Sequence, residues 1–124
     1  MGEKRLFALR GAVQCLNTSE DIMKQVVALY DELLERNNLS ENELVSVFFS
    51  VTGDLNALNP ATALRQNGRA GELALFAVKE AETVDSPSGV IRALMHCYLP
   101  QDSKLTHVYR NGAEALRPDL NPMD

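Results

Sequence analysis

Of the 124 residues only two are cysteines, Cys15 and Cys97. That is too few for a disulfide scaffold, and the pair has no metal-ligand spacing. No glycine-rich stretch has the form of a phosphate loop, and no side chain stands beside a base as an activated nucleophile would. The remaining His, Asp and Glu residues form no metal-ligand motif either. No metal and no cofactor is therefore expected. Long apolar runs are also missing. Leu6 to Leu9 is stopped by Arg10, and Val90-Ile91 by Arg92, which leaves nothing to span a bilayer or to act as a secretory signal. Gly2 is followed by Leu at position 6, where a myristoylation motif needs Ser or Thr.

Positive charge is scarce as well. Lys and Arg number 12 against 17 Asp and Glu, a net charge of −5. Such a field repels nucleic acid and anionic membranes, so neither is an expected partner. These absences describe a reduced, cytoplasmic protein forming one domain over residues 1–124, with 121–124 as a flexible tail. An acidic chain of this kind can bind a small anion only where its few arginines converge. Their positions therefore carry most of the functional information.

Arg5 to Val13 is apolar on both faces and predicts an interior strand. Arg10 is its one oddity, either a strand-end arginine reaching for solvent or an anion-binding guanidinium beside a permissive glycine, Gly11. Asn17-Thr18-Ser19 offers helix N-caps. Ile22, Val26, Leu29 and Leu33 then recur at helical spacing, which predicts a long core-packing helix to Asn37. Leu44 to Thr52 alternates, with Val45, Val47, Phe49 and Val51 on one face and Ser46, Phe48, Ser50 and Thr52 on the other. Asn59-Pro60-Ala61 starts a short helix that carries Arg65 and ends at Asn67-Gly68.

Leu73 to Val78 and Val90 to Leu99 are two further strands, separated by a loop through Ser86-Pro87-Ser88-Gly89. Arg92 is the least comfortable residue in this pattern. A guanidinium in an interior strand must reach solvent, pair with a carboxylate such as Glu80, or face a ligand cavity. His96 shares its face and reads as a hydrogen-bonded core or interface histidine. Thr106 to Tyr109 and the run to Leu120 flank Asn111-Gly112, which predicts a closing β-hairpin with Tyr109 before the turn and Arg117 after the returning strand.

The resulting fold class is α+β: a mixed β-sheet packed against one long and one short helix. One sheet with apolar residues on both faces and helices for only one of them calls for oligomerisation as the second cover. Several arginines, one carboxylate and one tyrosine at strand ends suit anion recognition and electrostatic stabilisation.

Arg10-Gly11-Ala12 near the start, with His107-Val108-Tyr109 and Leu116-Arg117-Pro118-Asp119-Leu120 near the end, resembles the trimeric, non-helical chorismate mutases. The resemblance runs from Arg10 to Leu120. It implies a homotrimer forming a pseudo-α/β barrel, sites between subunits, and rearrangement of chorismate to prephenate without a cofactor. Arg92, Glu80 and Arg10 would be the catalytic residues. Arg10 would bind a carboxylate, Arg92 would donate to the ether oxygen and a carboxylate, and Glu80 would accept from the substrate hydroxyl. Ala61, Arg65, Tyr109, Leu116 and Arg117 would complete substrate binding. Asn59, Thr62 and Ala77 depart from the family's common Phe, Lys and Cys. The alternatives to this reading are a non-catalytic trimer of the same shape that binds a small carboxylate, and a trimeric imine or enamine deaminase of similar topology.

Overall fold

Strand β1 (Lys4–Gln14) leads through a short link to helix α1 (Ser19–Arg36) in the computed structural model, which describes residues 3–117. A 3-10 turn at Glu41–Glu43 precedes β2 (Leu44–Val51). Then come α2 (Pro60–Gln66), β3 (Ala74–Lys79), β4 (Val90–Pro100), β5 (Val108–Arg110) and a second 3-10 turn at Ala113–Leu116. The strands form one sheet in the order β3-β2-β4-β1-β5. β4 runs antiparallel to both β1 and β2, whereas β3 lies parallel to β2 and β5 parallel to β1. This is the expected α+β architecture. β4 takes the centre, and β1 is interior beside it.

Helix α1 begins at Thr18, whose Oγ1 accepts from the Asp21 N–H at 3.0 Å. Asn17 serves elsewhere: its Oδ1 accepts from the N–H groups of Asn56 and Ala57. Ile22, Val26, Leu29 and Leu33 are buried, as their spacing requires. They pack on one face of the sheet with Leu9 and Val13 of β1, Val47 and Phe49 of β2, and Ile91 and Met95 of β4. Burying each such side chain contributes about 1.5–3 kcal/mol. Tyr30 joins this core, with its hydroxyl donating to Glu41. Burial, and secondarily that bond, pushes the phenol pKa far up. Helix α2 belongs to the same layer, packing against α1 and β3 through Ala63 and Leu64.

Two local expectations are corrected. Asn111 and Gly112 do take left-handed φ values of 54° and 99°, but the chain beyond them curls into a 3-10 turn instead of returning as a strand. Ala113-Glu114-Ala115-Leu116 contains helix formers and no β-branched residue. Residues 118–124, with Leu120 and the tail, lie outside the described residues. Val45 is 45% exposed, not core. A bulge between Leu44 and Ser46 resets the alternation and turns Leu44 inward in its place. The permissive glycine beside Arg10, Gly11, has its open side towards the helical layer. A Cβ there would stand 3.1 Å from Leu29 and Leu33 Cδ1 and 3.2 Å from the Val108 carbonyl. The glycine thus allows the close approach of α1 and of the β5 backbone.

Candidate active site

Register assembles the site on the open face of the sheet. Side chains at paired positions share a face, and five line up across the strands. They are Val78 (β3), Ser50 (β2), Arg92 (β4), Ala12 (β1) and Tyr109 (β5). Ala12 itself is fully buried, packed with Tyr109. Arg10, two residues before Ala12, shares its face. Arg10, Arg92 and Tyr109 line one cleft of about 250 Å³, with Phe48, Val78 and Leu94 as apolar walls. That volume is below the roughly 300–1,000 Å³ usual for a ligand pocket. On a single chain it is an open shelf.

Glu80 follows β3, where its N–H donates to the Val51 carbonyl at 2.7 Å. Its carboxylate is held between two groups: Ser50 Oγ donates to Oε1, and Arg92 Nε lies 3.3 Å from Oε2. The second contact is close enough for an ion pair but lacks hydrogen-bond geometry, and Arg92 Nε is buried with no hydrogen bond of its own. Arg92 is thus fixed in direction by charge while that donor stays unspent. Of the three outcomes open to Arg92, pairing with Glu80 and facing a cleft both hold.

Tyr109 is buried by a small second cluster of Ala12, Val90 and Ala113, against which Leu116 packs. The second 3-10 turn therefore seats the tyrosine. Just before β5, His107 Nδ1 accepts the Arg10 backbone N–H at 2.9 Å. Burial, then the Arg10 and Arg117 charges, hold this imidazole's pKa below its ordinary value. Arg117 is thus close enough for its charge to be felt at His107.

Ala61 and Arg65 stand apart from this group. Both are on α2 in the helical layer, where Arg65 Nη2 donates to the Leu73 carbonyl at 2.9 Å. Asn59 caps α2 as expected, accepting from the Ala61 N–H at 2.8 Å. His96 is half-buried, 3.2 Å from Ser46 Oγ through Nδ1 and edge-on to Phe48. Ser50, Ala12 and His107 were not singled out as site residues. The signal for Ser50 was its place in the polar half of β2's alternation, but its partner Glu80 is 30 residues away. Among the described residues, no group of three or more His, Cys, Asp or Glu could hold a metal ion. No helix there is long and apolar enough to cross a membrane.

A shelf with two arginines and one buttressed carboxylate suits binding and polarising an anion. Comparison with known proteins shows the family. The family model for chorismate mutase type I matches residues 6–120. The chain is 39% identical over 116 residues to chorismate mutase AroH of Thermus thermophilus, covering 90% of this chain and 93% of that protein. It is 29% identical over 116 residues to AroH of Bacillus subtilis, covering 91% of each. A solved chorismate mutase from Clostridium thermocellum superimposes with a TM-score of 0.80 at 35% identity, over 88% of this chain and 98% of that one.

Proposed function

The chain belongs to the type I chorismate mutase family and is an isomerase of aromatic amino-acid biosynthesis, and we propose that Arg92, Glu80, Arg10 and Tyr109 carry its reaction in a cleft completed by a neighbouring copy. The rearrangement breaks an ether C–O bond and forms a C–C bond within one molecule. No proton is transferred and no group leaves. The protein's task is therefore to hold the compact conformer and to favour charge as it separates along the breaking bond.

Arg10 binds one substrate carboxylate. Arg92, held in place by Glu80, directs its remaining donors at the ether oxygen and the second carboxylate. Glu80 accepts from the substrate hydroxyl and faces the ring fragment that becomes more positive. Tyr109 meets the side-chain carboxylate, with Leu116 behind it and Arg117 closing over the ligand. The observation that carries this reading is the row Ser50–Arg92–Ala12–Tyr109 with Glu80 against Arg92.

A homotrimer supplies what the single chain lacks. Leu6, Phe48, Phe76, Val78, Leu94 and Tyr98 are all exposed on the face that holds the cleft, an apolar patch of the kind that oligomers cover. Ala61 and Arg65 then reach the cleft from the neighbouring copy's α2. The test is to add purified protein to chorismate without metal or cofactor and to follow loss of its ultraviolet absorbance, beside an Arg92→Ala variant. Turnover by the parent and none by a folded Arg92→Ala is the expected result. Equal turnover by both would overturn the assignment of Arg92.

A further inference from the structure

The parallel pairing of β1 with β5 spans only three residues, Gly11 to Val13 against Val108 to Arg110. Directly upstream, the next N–H of β1, that of Arg10, is accepted by the imidazole of His107. The segment bearing His107 is itself fixed. Asn37, the C-cap of α1, accepts from the Thr106 N–H and donates to the Thr106 carbonyl, both at 2.8 Å, and donates to the Leu33 carbonyl as well. A chain of hydrogen bonds thus runs from the end of α1 through Thr106 and His107 to the backbone of Arg10.

We propose that His107 is a positioning residue for the mutase reaction: its neutral imidazole ties the Arg10 backbone to the start of β5, and so sets Arg10 and Tyr109 in one geometry. The inference rests on Arg10 being a substrate-carboxylate ligand. An accepting Nδ1 places the ring proton on Nε2. Protonation of Nδ1 would remove the acceptor and turn a donor towards the Arg10 N–H. It would also add a charge beside those of Arg10 on β1 and Arg117 beyond the second 3-10 turn, the two charged groups among the described residues that bear on this ring. From α1 the neighbouring group is Asn37, which is uncharged. The depressed imidazole pKa agrees with a ring that stays neutral while the enzyme works.

The experiment compares kcat and KM across pH for the parent, His107→Leu, His107→Asn and Arg10→Ala. Asn Oδ1 can occupy the position of Nδ1 and accept the same bond, but it does not titrate. Losing one hydrogen bond of this kind is worth about five- to tenfold. We expect His107→Leu to raise KM by about that factor with little change in kcat, and His107→Asn to restore it. The parent's kcat/KM should fall on the acid side as His107 protonates, and that part of the acid limb should be absent in His107→Asn. If His107→Leu fails to fold, the pH profile of His107→Asn decides alone. A parent acid limb unchanged in His107→Asn, or a folded His107→Leu with the parent's KM, overturns the proposal. An unaffected Arg10→Ala would instead overturn the role of Arg10, which keeps the two failures distinct.

Discussion

On one face of the sheet Leu9, Val13, Val47, Ile91 and Met95 have no exposed surface, and α1 lies over them. On the other, the same strands present Arg10, Ser50, Phe48, Arg92 and Leu94, with Phe76 61% exposed. Neighbouring residues in a strand point to opposite faces, so Arg92 sits between Ile91 and Ala93, both buried. The residues of the core and the residue proposed for the chemistry are thereby separated by one position along β4. The helical face is finished within one chain, while the cleft face has charge without cover. A destabilised core and a disabled site should therefore be obtainable independently from adjacent residues.

Met95→Ala tests the finished face and should have the largest effect. Removing a fully buried methionine costs about 2–5 kcal/mol through lost burial and a residual cavity. Denaturant titration at fixed protein concentration should show that loss, and the fraction still folded should turn over chorismate as the parent does. A folded Met95→Ala with impaired kcat would mean that the two faces are coupled. Arg92→Lys tests the other face. One ammonium cannot keep Glu80 in place and also present a planar fork of donors. A fall in kcat of about 10²-fold or more is expected, roughly 3 kcal/mol, with an unchanged denaturation midpoint. Near-normal turnover would reduce Arg92 to a point charge.

Phe76→Lys challenges the uncovered face itself. If the patch is the contact between copies, light scattering should show a shift from trimer towards monomer, by about 1.5–3 kcal/mol per buried ring. The effect should be diluted at high protein concentration. A parent that is already monomeric would leave the apolar face without this explanation and Ala61 and Arg65 without a route to the cleft.

The helical face was the more legible in the sequence, because its signal is periodic and local. Ile22, Val26, Leu29 and Leu33 announce α1 by spacing alone, and Asn17-Thr18-Ser19 (of which Thr18 is the cap) and Asn59 announce helix starts by chemistry that acts over three residues or fewer. The cleft was legible only in part. Arg92 stood out because a guanidinium in an apolar strand demands a partner, and Glu80 was a named candidate for it. Ser50 and His107 did not stand out, since each acts through a residue 30 or 97 positions away. The closing segment misled because Asn-Gly specifies a turn and leaves the conformation beyond that turn open. There the residues of Ala113–Leu116, helix formers without a β-branched side chain, favour the 3-10 turn. Val45 misled for a related reason, because one bulge reverses every inference from alternation upstream of it.

The smallest predicted effect bears on the element that the single chain leaves away from the cleft. Helix α2 has only seven residues, too few to be stable by itself, so its start matters. Asn59→Ala removes the side-chain acceptor for the Ala61 N–H and should cost about 1 kcal/mol, read as a small drop in the denaturation midpoint. Asn59→Asp keeps the acceptor and should recover it. Because Ala61 and Arg65 ride on this helix, a looser start should also raise KM, with kcat held by Arg92 and Glu80 on the sheet. A loss of stability with KM unchanged would keep α2 in the structural layer alone, and the cleft would then have to be completed by other parts of the neighbouring copy.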